Sequence, residues 1–445
     1  MTSGVGSYWQ EGQLNETGGG NANVTVNENT TYQTWIGFGG TFNEAGWDAL
    51  SVLSPEDMDR AIRLLFDASE GADFAWGRFP IGASDYAMDR YTLDDTQDDY
   101  TMEHFSIDRD KVRLIPYIKA ALEVKPDLRL WASPWSPPAW MKDSNNIDGT
   151  DADESFTSHM LSDAQTLQAY ALYFARFIEA YSAEGIHVEH VQPQNEPGYA
   201  TRYPSCLWDA GLLGSFVGDY LGPTLQSEGL DTEIWFGTLS NEDTYNDHMG
   251  GLTGAAASYT VGVGLQWNTI GHVQTLANQG YLVIQTEHKC GNYPWETATF
   301  NPNNPPNDHA YAIESWGLIR DWIQAGVHVY SAWNMVLDTL GQNLDEYRTW
   351  PQNALLTVDR NTKTLTATPA YFVFRHLSYF VDPGATRVGT SGGDALAFRN
   401  PDGSIVTVMY NSGSQAAQTT LAVGGTTVQF QIPGQGWATV NWEGQ

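Results

Sequence analysis

The sequence predicts an α/β fold, a (β/α)8 (TIM) barrel with a flanking all-β sandwich domain formed from both chain termini. Between about residues 35 and 381, short apolar runs rich in β-branched and aromatic residues alternate with helical stretches, as in βα units. Both chain ends instead alternate apolar and polar residues, which is typical of half-buried strands. The chain has 445 residues, enough for two domains, because single cores stop growing near about 250 to 300 residues.

The predicted barrel spans residues 35–384 and has eight candidate strands. They are residues 35–39, 74–78, 128–133, 188–192, 233–237, 261–266, 282–286 and 327–333. Eight strands with intervening helices fit a closed barrel, whose active site lies at the carboxyl ends of the strands. A doubly wound open sheet is the alternative. It is disfavoured because Gly37-Phe38-Gly39-Gly40 does not continue as a glycine-rich phosphate loop.

The helices between these strands have recognisable start signals. Ser54-Pro55 and Thr368-Pro369 each combine a capping hydroxyl with a proline at the first helical position. The longest predicted helix covers residues 161–183. Pro116 lies inside the helical pattern of residues 109–124 and predicts a kink or a restart of that helix.

Residues 1–34 and 385–445 are predicted to form the second domain. Its C-terminal part has four candidate strands, at residues 395–399, 406–410, 419–423 and 428–432. Residues 23–35 alternate in the same way. We therefore expect this N-terminal strand to join the C-terminal sheet, with the barrel inserted between the two segments.

Acidic residues dominate the charge of the chain, with 53 Asp and Glu against 21 Lys and Arg and a formal net charge of −32. Such a charge repels nucleic acids, anionic membranes and polyanionic substrates, so we expect no nucleic-acid partner. No apolar run approaches the length of about 18 residues that spans a bilayer, so we expect no membrane insertion. Aromatic residues make up 13% of the chain, an excess that suits stacking on sugar rings.

Two glutamates follow predicted strands four and seven. Glu196 lies in Pro193-Gln194-Asn195-Glu196-Pro197, and Glu287 comes directly after residues 282–286. Hydrolysis of a glycosidic bond with retention needs two carboxyl groups about 5 Å apart. A carboxylate that closes a buried strand at the upper rim of a barrel is poorly explained by solubility. The pair therefore predicts a retaining β-glycoside hydrolase.

Six motifs follow one another along the chain. They are residues 37–42 (GFGGTF), 78–86 (RFPIGASDY), 91–96 (YTLDDT), 132–142 (ASPWSPPAWMK), 194–197 (QNEP) and 331–334 (SAWN). These motifs resemble those of glycoside hydrolase family 30, barrel glycosidases with catalytic glutamates on strands four and seven. The resemblance covers most of the chain. A flanking β-domain made from both termini is also a mark of that family.

The resemblance implies separate roles for the two glutamates, Glu196 as the acid/base and Glu287 as the nucleophile. It implies that Asn195 hydrogen-bonds the 2-hydroxyl of the sugar, a contact that strengthens in the transition state. It also implies that Asp85 receives sugar hydroxyls in the −1 subsite.

Further site residues are implied around this pair. By the same resemblance, Trp135 and Trp333 form walls of the −1 subsite, and Asn353 is a further candidate for a hydroxyl contact. We interpret Arg78 as a buried partner of a catalytic carboxylate. A cation there would keep Glu287 ionised while Glu196 stays protonated.

Two loops depart from the family pattern. Strand six ends in Gln266-Trp267-Asn268, where many relatives have a histidine before an aromatic residue. The segment after the nucleophile, residues 287–295 (EHKCGNYPW), also differs from the best-known members. These loops shape the leaving-group side of the cleft, so the choice of substrate depends on them. We include Gln266 and Trp267 in the sugar site.

Cys206 and Cys290 are the two cysteines of the sequence, and both fall on predicted active-site loops. They leave two alternatives open, a disulfide that clamps these loops or two unpaired buried thiols. Two distant single cysteines do not make a metal site. The expected chemistry requires neither a metal nor a cofactor.

The leading hypothesis is a retaining β-glycosidase that acts on a neutral oligo- or polysaccharide. Activities described in the family include β-1,6-glucanase, glucosylceramidase, β-xylosidase, β-fucosidase, β-galactanase and glucuronoxylan endoxylanase. We rank endo-β-1,6-glucanase first, and a glucosylceramidase-like or other exo-β-glycosidase next. Glucuronoxylan is disfavoured because the loop of residues 338–350 offers Asp345, Glu346 and a single Arg348 rather than a cationic cluster.

A carbohydrate-binding barrel that has lost catalysis is the alternative from another class, and the two retained glutamates argue against it. Residues 1–10 lack the charged and apolar stretches of a signal peptide. We nevertheless expect a secreted or extracytoplasmic enzyme whose leader is absent from this sequence, because glycan polymers are too large to enter cells. The sequence does not indicate an oligomeric state.

Overall fold

Four strands precede the barrel in the computed structural model, which describes residues 1–17, 21–346 and 350–443. They are β1 (Thr2–Gly4), β2 (Ser7–Gln10), β3 (Asn15–Thr17) and β4 (Val24–Thr34). The fourth is the N-terminal strand expected from the alternation of residues 23–35. The first three are short and were not expected.

Eight parallel strands close into a barrel. They are β5 (Gly37–Thr41), β6 (Trp76–Ile81), β7 (Arg129–Pro134), β8 (His190–Val191), β9 (Glu233–Leu239), β10 (Thr260–Leu265), β11 (Leu282–Gln285) and β12 (Val329–Asn334). Strand β12 pairs with β5 and completes the ring. The closed ring confirms the predicted (β/α)8 barrel and excludes the open doubly wound sheet.

Each barrel strand overlaps its predicted segment, although four begin two residues later than expected. The first of them shows the reason. Trp35 donates its backbone N–H to Ala385 O at 2.6 Å, so this residue is tied to the second domain rather than to the barrel ladder. A buried apolar residue before a strand has the same sequence pattern as the strand itself.

Helices pack around the barrel. They are α1 (Glu44–Leu50), α2 (Pro55–Phe66), α3 (Leu114–Val124), α4 (Ala164–Ala183), α5 (Ala210–Ser215), α6 (Gly222–Ser227), α7 (Glu242–Met249), α8 (Gly254–Tyr259), α9 (Val273–Asn278), α10 (His309–Ala325) and α11 (Pro369–Ser378). Shorter 3-10 turns cover Asp110–Val112, Ala139–Met141 and Trp267–His272, and a π-helical turn covers Phe216–Leu221. None of the helices within the described ranges is long and apolar enough to cross a membrane.

The helix signals read from the sequence lie where they were expected. The Ser54 side chain accepts the Asp57 N–H and caps α2, and prolines occupy the first turns of α2 and α11. Pro116 restarts the helix rather than kinking it. A 3-10 turn ends at Val112 and α3 begins at Leu114, so Pro116 sits in the first turn, where its missing N–H breaks no helical bond.

The second domain is one ten-stranded sheet that uses both ends of the chain. After a small sheet of β13 (Val336–Asp338), β14 (Leu356–Asp359) and β15 (Thr364–Ala367), the chain forms β16 (Thr386–Ser391), β17 (Asp394–Arg399), β18 (Ile405–Asn411), β19 (Ala417–Val423), β20 (Thr426–Ile432) and β21 (Gly436–Trp442). The strand order is β2-β1-β21-β18-β17-β16-β4-β19-β20-β3. Strand β4 is central, antiparallel to β16 and parallel to β19.

Aromatic rings fill the inside of the barrel near the amino-terminal ends of its strands. His190 stacks on Trp235 at 4.2 Å and on Trp131 at 5.1 Å between ring centroids, and Trp76 lies 5.7 Å from the same imidazole. These rings belong to the amino-terminal parts of their strands. The barrel is therefore a packed core, and polar chemistry is confined to the carboxyl ends of the strands.

Candidate active site

Glu196 and Glu287 are brought together at the carboxyl ends of the barrel strands. Glu287 lies two residues after β11 and Glu196 lies in the loop after β8, and each is 6% exposed. Glu196 has a φ of 47°, in the left-handed region that few non-glycine residues adopt. Its N–H donates to Thr238 O at 3.1 Å, and this bond holds the unfavourable backbone in place.

Arg78 lies between the two catalytic candidates and is fully buried. Its Nη1 donates to Glu287 Oε2 at 3.1 Å, and its Nη2 donates to Asn195 Oδ1 at 2.7 Å. Ser133 Oγ accepts a further bond from Nη2 at 3.0 Å. The guanidinium also faces the Trp135 ring, with its central carbon 4.4 Å from the ring centroid. The guanidinium is thereby fixed against one carboxylate.

The environment separates the pKa values of the two carboxyl groups. Burial raises the pKa of Glu196, and the negative charge of Glu287 raises it further. Burial also raises the pKa of Glu287, but the Arg78 guanidinium acts directly against that rise. Arg78 forms its salt bridge with Glu287, so Glu287 is the group favoured to ionise first. Glu196 is then the group that keeps a proton.

Asn195 and Gln266 complete the polar floor of the site. Asn195 Oδ1 accepts from Arg78, from Thr238 Oγ1 at 3.0 Å and from Gln266 Nε2 at 3.4 Å. With its oxygen engaged, Asn195 turns its Nδ2 toward Glu196 Oε2, at 3.5 Å. Gln266 Nε2 is also 3.3 Å from Glu287 Oε2. The predicted residues thus form one network that joins both glutamates.

Asp85 is a third buried carboxyl group, close enough to Glu196 and Glu287 to feel their charges. It is 4% exposed, and its Oδ1 has no hydrogen-bond partner within the protein. Burial, followed by the charges of Glu287 and Glu196, raises the pKa of Asp85 well above its usual range. A buried carboxyl oxygen without a protein partner is available to a sugar hydroxyl.

Trp135 and Trp333 lie together at the carboxyl ends of β7 and β12, and their expected role as walls of the −1 subsite stays a prediction. Their rings stack at 5.4 Å between centroids with an interplanar angle of 25°. Trp333 Nε1 donates to Gln352 Oε1 at 2.8 Å, and Tyr86 meets the Trp333 ring edge-on at 6.1 Å. Trp267 lies on the loop after β10, partly exposed, and meets Tyr293 edge-on at 6.2 Å.

Asn353 is the predicted site residue that packs away from the glutamates. Its Nδ2 donates to Asn307 Oδ1 at 3.1 Å, and its backbone N–H donates to Cys290 O at 3.0 Å. These contacts join the loops that follow β11 and β13. Both of these partners lie outside the network of the two glutamates, so the expected hydroxyl contact of Asn353 stays a prediction.

Other site residues were missed by sequence reasoning. The hydroxyls that bond Arg78, Asn195 and Glu196 come from Ser133, Thr238 and Ser240. Ser133 belongs to a motif that had been noted for its tryptophan, and Thr238 is a polar residue near the end of a barrel strand. That position was the available signal, because polar side chains at the carboxyl ends of barrel strands face the site.

The disulfide alternative for Cys206 and Cys290 is wrong, since both are buried free thiols. The two side chains belong to separate packing clusters. Cys206 Sγ lies 3.5 Å from Leu207 O, and Cys290 Sγ lies 3.5 Å from the Tyr293 hydroxyl. Burial raises the pKa of the Cys206 thiol to about 12 and that of Cys290 well above its usual range.

Alkylation with iodoacetamide tests this state of the cysteines. Denatured, unreduced protein is expected to gain two adducts by mass spectrometry, while the native protein gains almost none because both thiols are buried and protonated. Reduction before denaturation should leave the count at two. A denatured sample that takes label only after reduction would show a disulfide.

No group of three His, Cys, Asp or Glu side chains suited to a metal ion occurs in the part of the chain that the structure describes. The donors around the two glutamates are a guanidinium, amides and hydroxyls. Such a set stabilises carboxylates and binds sugar hydroxyls.

Comparisons with known proteins agree with this architecture. The model of the glycosyl hydrolase family 30 TIM-barrel domain matches residues 35–381, and that of the glycosyl hydrolase family 30 beta sandwich domain matches residues 384–440. Putative glucosylceramidase 1 of Caenorhabditis elegans is 28% identical over 89% of this chain and 77% of its own length. Endo-1,6-beta-D-glucanase neg1 of Aspergillus fumigatus is 27% identical over 85% of this chain and 79% of its own length.

Among solved structures, SrfJ from Salmonella typhimurium has a similar fold. Its TM-score is 0.84 at 23% identity, and the alignment covers 97% of this chain and 95% of SrfJ. The family models cover both the barrel and most of the C-terminal sheet. The chain is therefore a glycoside hydrolase that belongs to glycosyl hydrolase family 30.

Proposed function

We propose that this glycoside hydrolase cleaves a neutral β-linked glycan with retention of anomeric configuration, and that its substrate is a β-1,6-glucan. The observation that carries the mechanism is the asymmetric position of Arg78. Its guanidinium binds Glu287 directly at 3.1 Å and is linked to Glu196 through Asn195. One carboxyl group is therefore favoured as an anion and the other as an acid.

The two groups divide the reaction between them. In the first step the Glu287 carboxylate attacks the anomeric carbon while Glu196 gives its proton to the glycosidic oxygen, which leaves with the departing sugar. In the second step the Glu196 carboxylate takes a proton from water, whose oxygen attacks the same carbon and releases Glu287. Each step inverts the configuration, so the product keeps the original anomeric configuration.

Neutral substrates are favoured by the charges around the site. Three basic side chains on the strands and loops there are already paired with carboxylates: Arg78 with Glu287, Arg90 with Asp148, and Lys289 with Glu296 and Glu314. Lys142 is buried, and its ammonium group donates to Ser136 Oγ and to backbone carbonyl groups. Arg348, considered above for a uronate, lies outside the described residues. Paired cations attract an anionic sugar weakly, so a glucuronoxylan is disfavoured.

The choice of β-1,6-glucan over glucosylceramide rests on charge and on the relatives. A formal net charge of −32 opposes approach to an anionic membrane surface, where a glycolipid substrate resides. Two relatives, from Aspergillus fumigatus and Trichoderma harzianum, are named endo-1,6-beta-D-glucanases. Glucosylceramide is the second candidate, because four relatives from Caenorhabditis elegans are named putative glucosylceramidases.

The products from a panel of glycans test this proposal. A linear β-1,6-glucan is expected to yield a series of oligosaccharides, with the β-anomer of each new reducing end appearing first in proton NMR. β-1,3-Glucan, xylan and glucosylceramide in detergent micelles serve as the comparison substrates. An α-anomer appearing first would refute retention. Preferential turnover of glucosylceramide would refute the glucan assignment.

A further inference from the structure

A tryptophan on the rim of the site is unusually exposed. All tryptophans of this chain lie in the described ranges, and Trp295 is the one whose side chain is largely in solvent, at 63% exposure. Single exposed apolar residues are common on protein surfaces. Trp295 is different because it belongs to the loop after β11, the strand that ends beside Glu287.

Trp295 continues a row of aromatic rings that leads out of the site. Its ring stacks on Tyr293, with centroids 4.8 Å apart and an interplanar angle of 21°, and meets Trp350 edge-on at 5.7 Å. Tyr293 in turn meets Trp267 edge-on. We call Trp267, Tyr293, Trp295 and Trp350 the aromatic strip. Its inner end lies next to Gln266, whose amide is 3.3 Å from Glu287.

Hydrogen bonds and ion pairs hold the Trp295 loop in place. Lys289 Nζ lies 2.6 Å from Glu296 Oε1 and 2.7 Å from Glu314 Oε1. Asn292 Nδ2 donates to Asn301 O at 2.9 Å and to Pro351 O at 3.0 Å. A loop braced from both sides presents the Trp295 ring in one orientation. Preorganised surfaces of this kind lose little entropy when they bind a ligand.

The position of the strip indicates which sugar it would contact. Asp85 and Trp135 follow β6 and β7, and Trp333 lies near the end of β12. In the proposed function these three residues contact the sugar that is attacked by Glu287. Strands β10 and β11, which precede Trp267, Tyr293 and Trp295, stand across the barrel from β6 and β7. A glycan that extends away from Asp85 and Trp135, across Glu287, therefore runs toward Trp295.

We propose that the aromatic strip forms the binding site for the pyranose ring of the leaving group, in which Trp295 stacks against the C–H face of that sugar while the buried Tyr293 and Trp350 support the Trp295 ring. The proposal rests on the proposed function and extends it to the side of the cleft that selects the leaving group. A flat, largely apolar ring matches the C–H face of a pyranose. Trp295 is therefore a specificity-determining residue for glycan over small leaving groups.

Two substrates that share one glucosyl group separate this role from catalysis. A β-1,6-linked gluco-oligosaccharide has a pyranose leaving group, whereas β-glucosyl fluoride has a leaving group too small to reach the strip. We expect Trp295→Ala to lower the ratio of kcat/KM for the oligosaccharide to kcat/KM for the fluoride by about tenfold. Trp295→Phe, which keeps a stacking ring, should retain most of the ratio.

Tyr32→Ala is the matched control, because Tyr32 is also an exposed aromatic residue, at 50%, but lies on β4 of the outer sheet. It should leave the ratio unchanged. An unchanged ratio in Trp295→Ala, or an equal loss on both substrates, would overturn the role of the strip. A wild-type protein that hydrolyses neither substrate would instead overturn the proposed function.

A direct binding measurement distinguishes loss of sugar binding from loss of folding stability in Trp295→Ala. In the Glu287→Gln background, binding of the same oligosaccharide is expected to quench or shift tryptophan fluorescence, with a Kd raised about tenfold by Trp295→Ala. The melting temperature of the variant should stay close to that of its parent, because the removed ring is mostly in solvent. A Kd equal to that of the parent would contradict the proposal.

Discussion

Replacing Glu287 by alanine is expected to lower kcat/KM on a β-1,6-glucan by roughly 10⁴-fold or more, because the proposed nucleophile is removed. Sodium azide should restore turnover of an activated aryl β-glucoside. Azide would enter from the face left by the carboxylate in a single displacement, so the product should be the α-glucosyl azide. Polarimetry or proton NMR of that product measures the outcome.

Glu196→Ala is the matched partner of this experiment. Azide should also rescue it on an activated substrate, but through the covalent intermediate, so the product should be the β-glucosyl azide. An α-glucosyl azide from Glu196→Ala together with a β-glucosyl azide from Glu287→Ala would show that Glu196 is the nucleophile and Glu287 the acid/base. Glu287→Gln keeps the shape of the side chain and separates loss of charge from loss of packing.

Replacing Arg78 by methionine is the second change with a large expected effect. The buried Glu287 carboxylate would lose its cation, and the pKa of Glu287 would rise above its already elevated value. Since attack needs the ionised form, the acidic limb of the kcat/KM profile should move upward by about one pH unit or more. At pH 6 we therefore expect kcat/KM to fall by about tenfold or more.

The same variant should be less stable, by about 3 kcal/mol in the free energy of unfolding, because one partner of a buried ion pair is removed. Glu287 also decides how the free energy of unfolding of this variant changes with pH. Its folded pKa lies above the unfolded value, so its ionisation opposes folding, and the variant should lose stability as the pH rises past the unfolded pKa. Denaturant titration at pH 5 and pH 8 measures this difference.

Arg129→Met supplies the control. Arg129 also faces a barrel tryptophan, Trp76, at 4.0 Å and pairs with a glutamate, Glu189, but at the other end of the barrel. It should leave the acidic limb where it is in the wild type. An Arg78→Met enzyme with an unshifted acidic limb would contradict the role given to Arg78.

The sequence was informative where a single residue pattern implies a single structure. The β11 segment is apolar and ends at a polar residue, so both the strand and the position of Glu287 follow from periodicity and from the rule that strand ends line the site. Trp135 and Trp333 likewise stand at strand ends. Their stacking on each other depends on barrel curvature, which periodicity does not encode.

Side chains on long loops were predicted less well. Cys206 and Cys290 follow Glu196 and Glu287 in sequence, yet their thiols pack into different clusters, because chain distance does not fix the direction of a side chain. Strand β3 (Asn15–Thr17) was missed for another reason. It is short and polar, and its pairing with β20 is a long-range contact without a local signal.

The position of β4 inside the ten-stranded sheet of the second domain has a consequence for folding. In the C-terminal segment alone, β16 to β18 with β21 and the pair β19–β20 would be two separate pieces, since β4 is the strand that joins them. Asn27 pairs with Gly389, so this junction closes a loop that contains the whole barrel. During synthesis the barrel strands are all available before that loop can close. The barrel strands can therefore all pair before the ten-stranded sheet is complete, a sheet that β21 also closes onto β1.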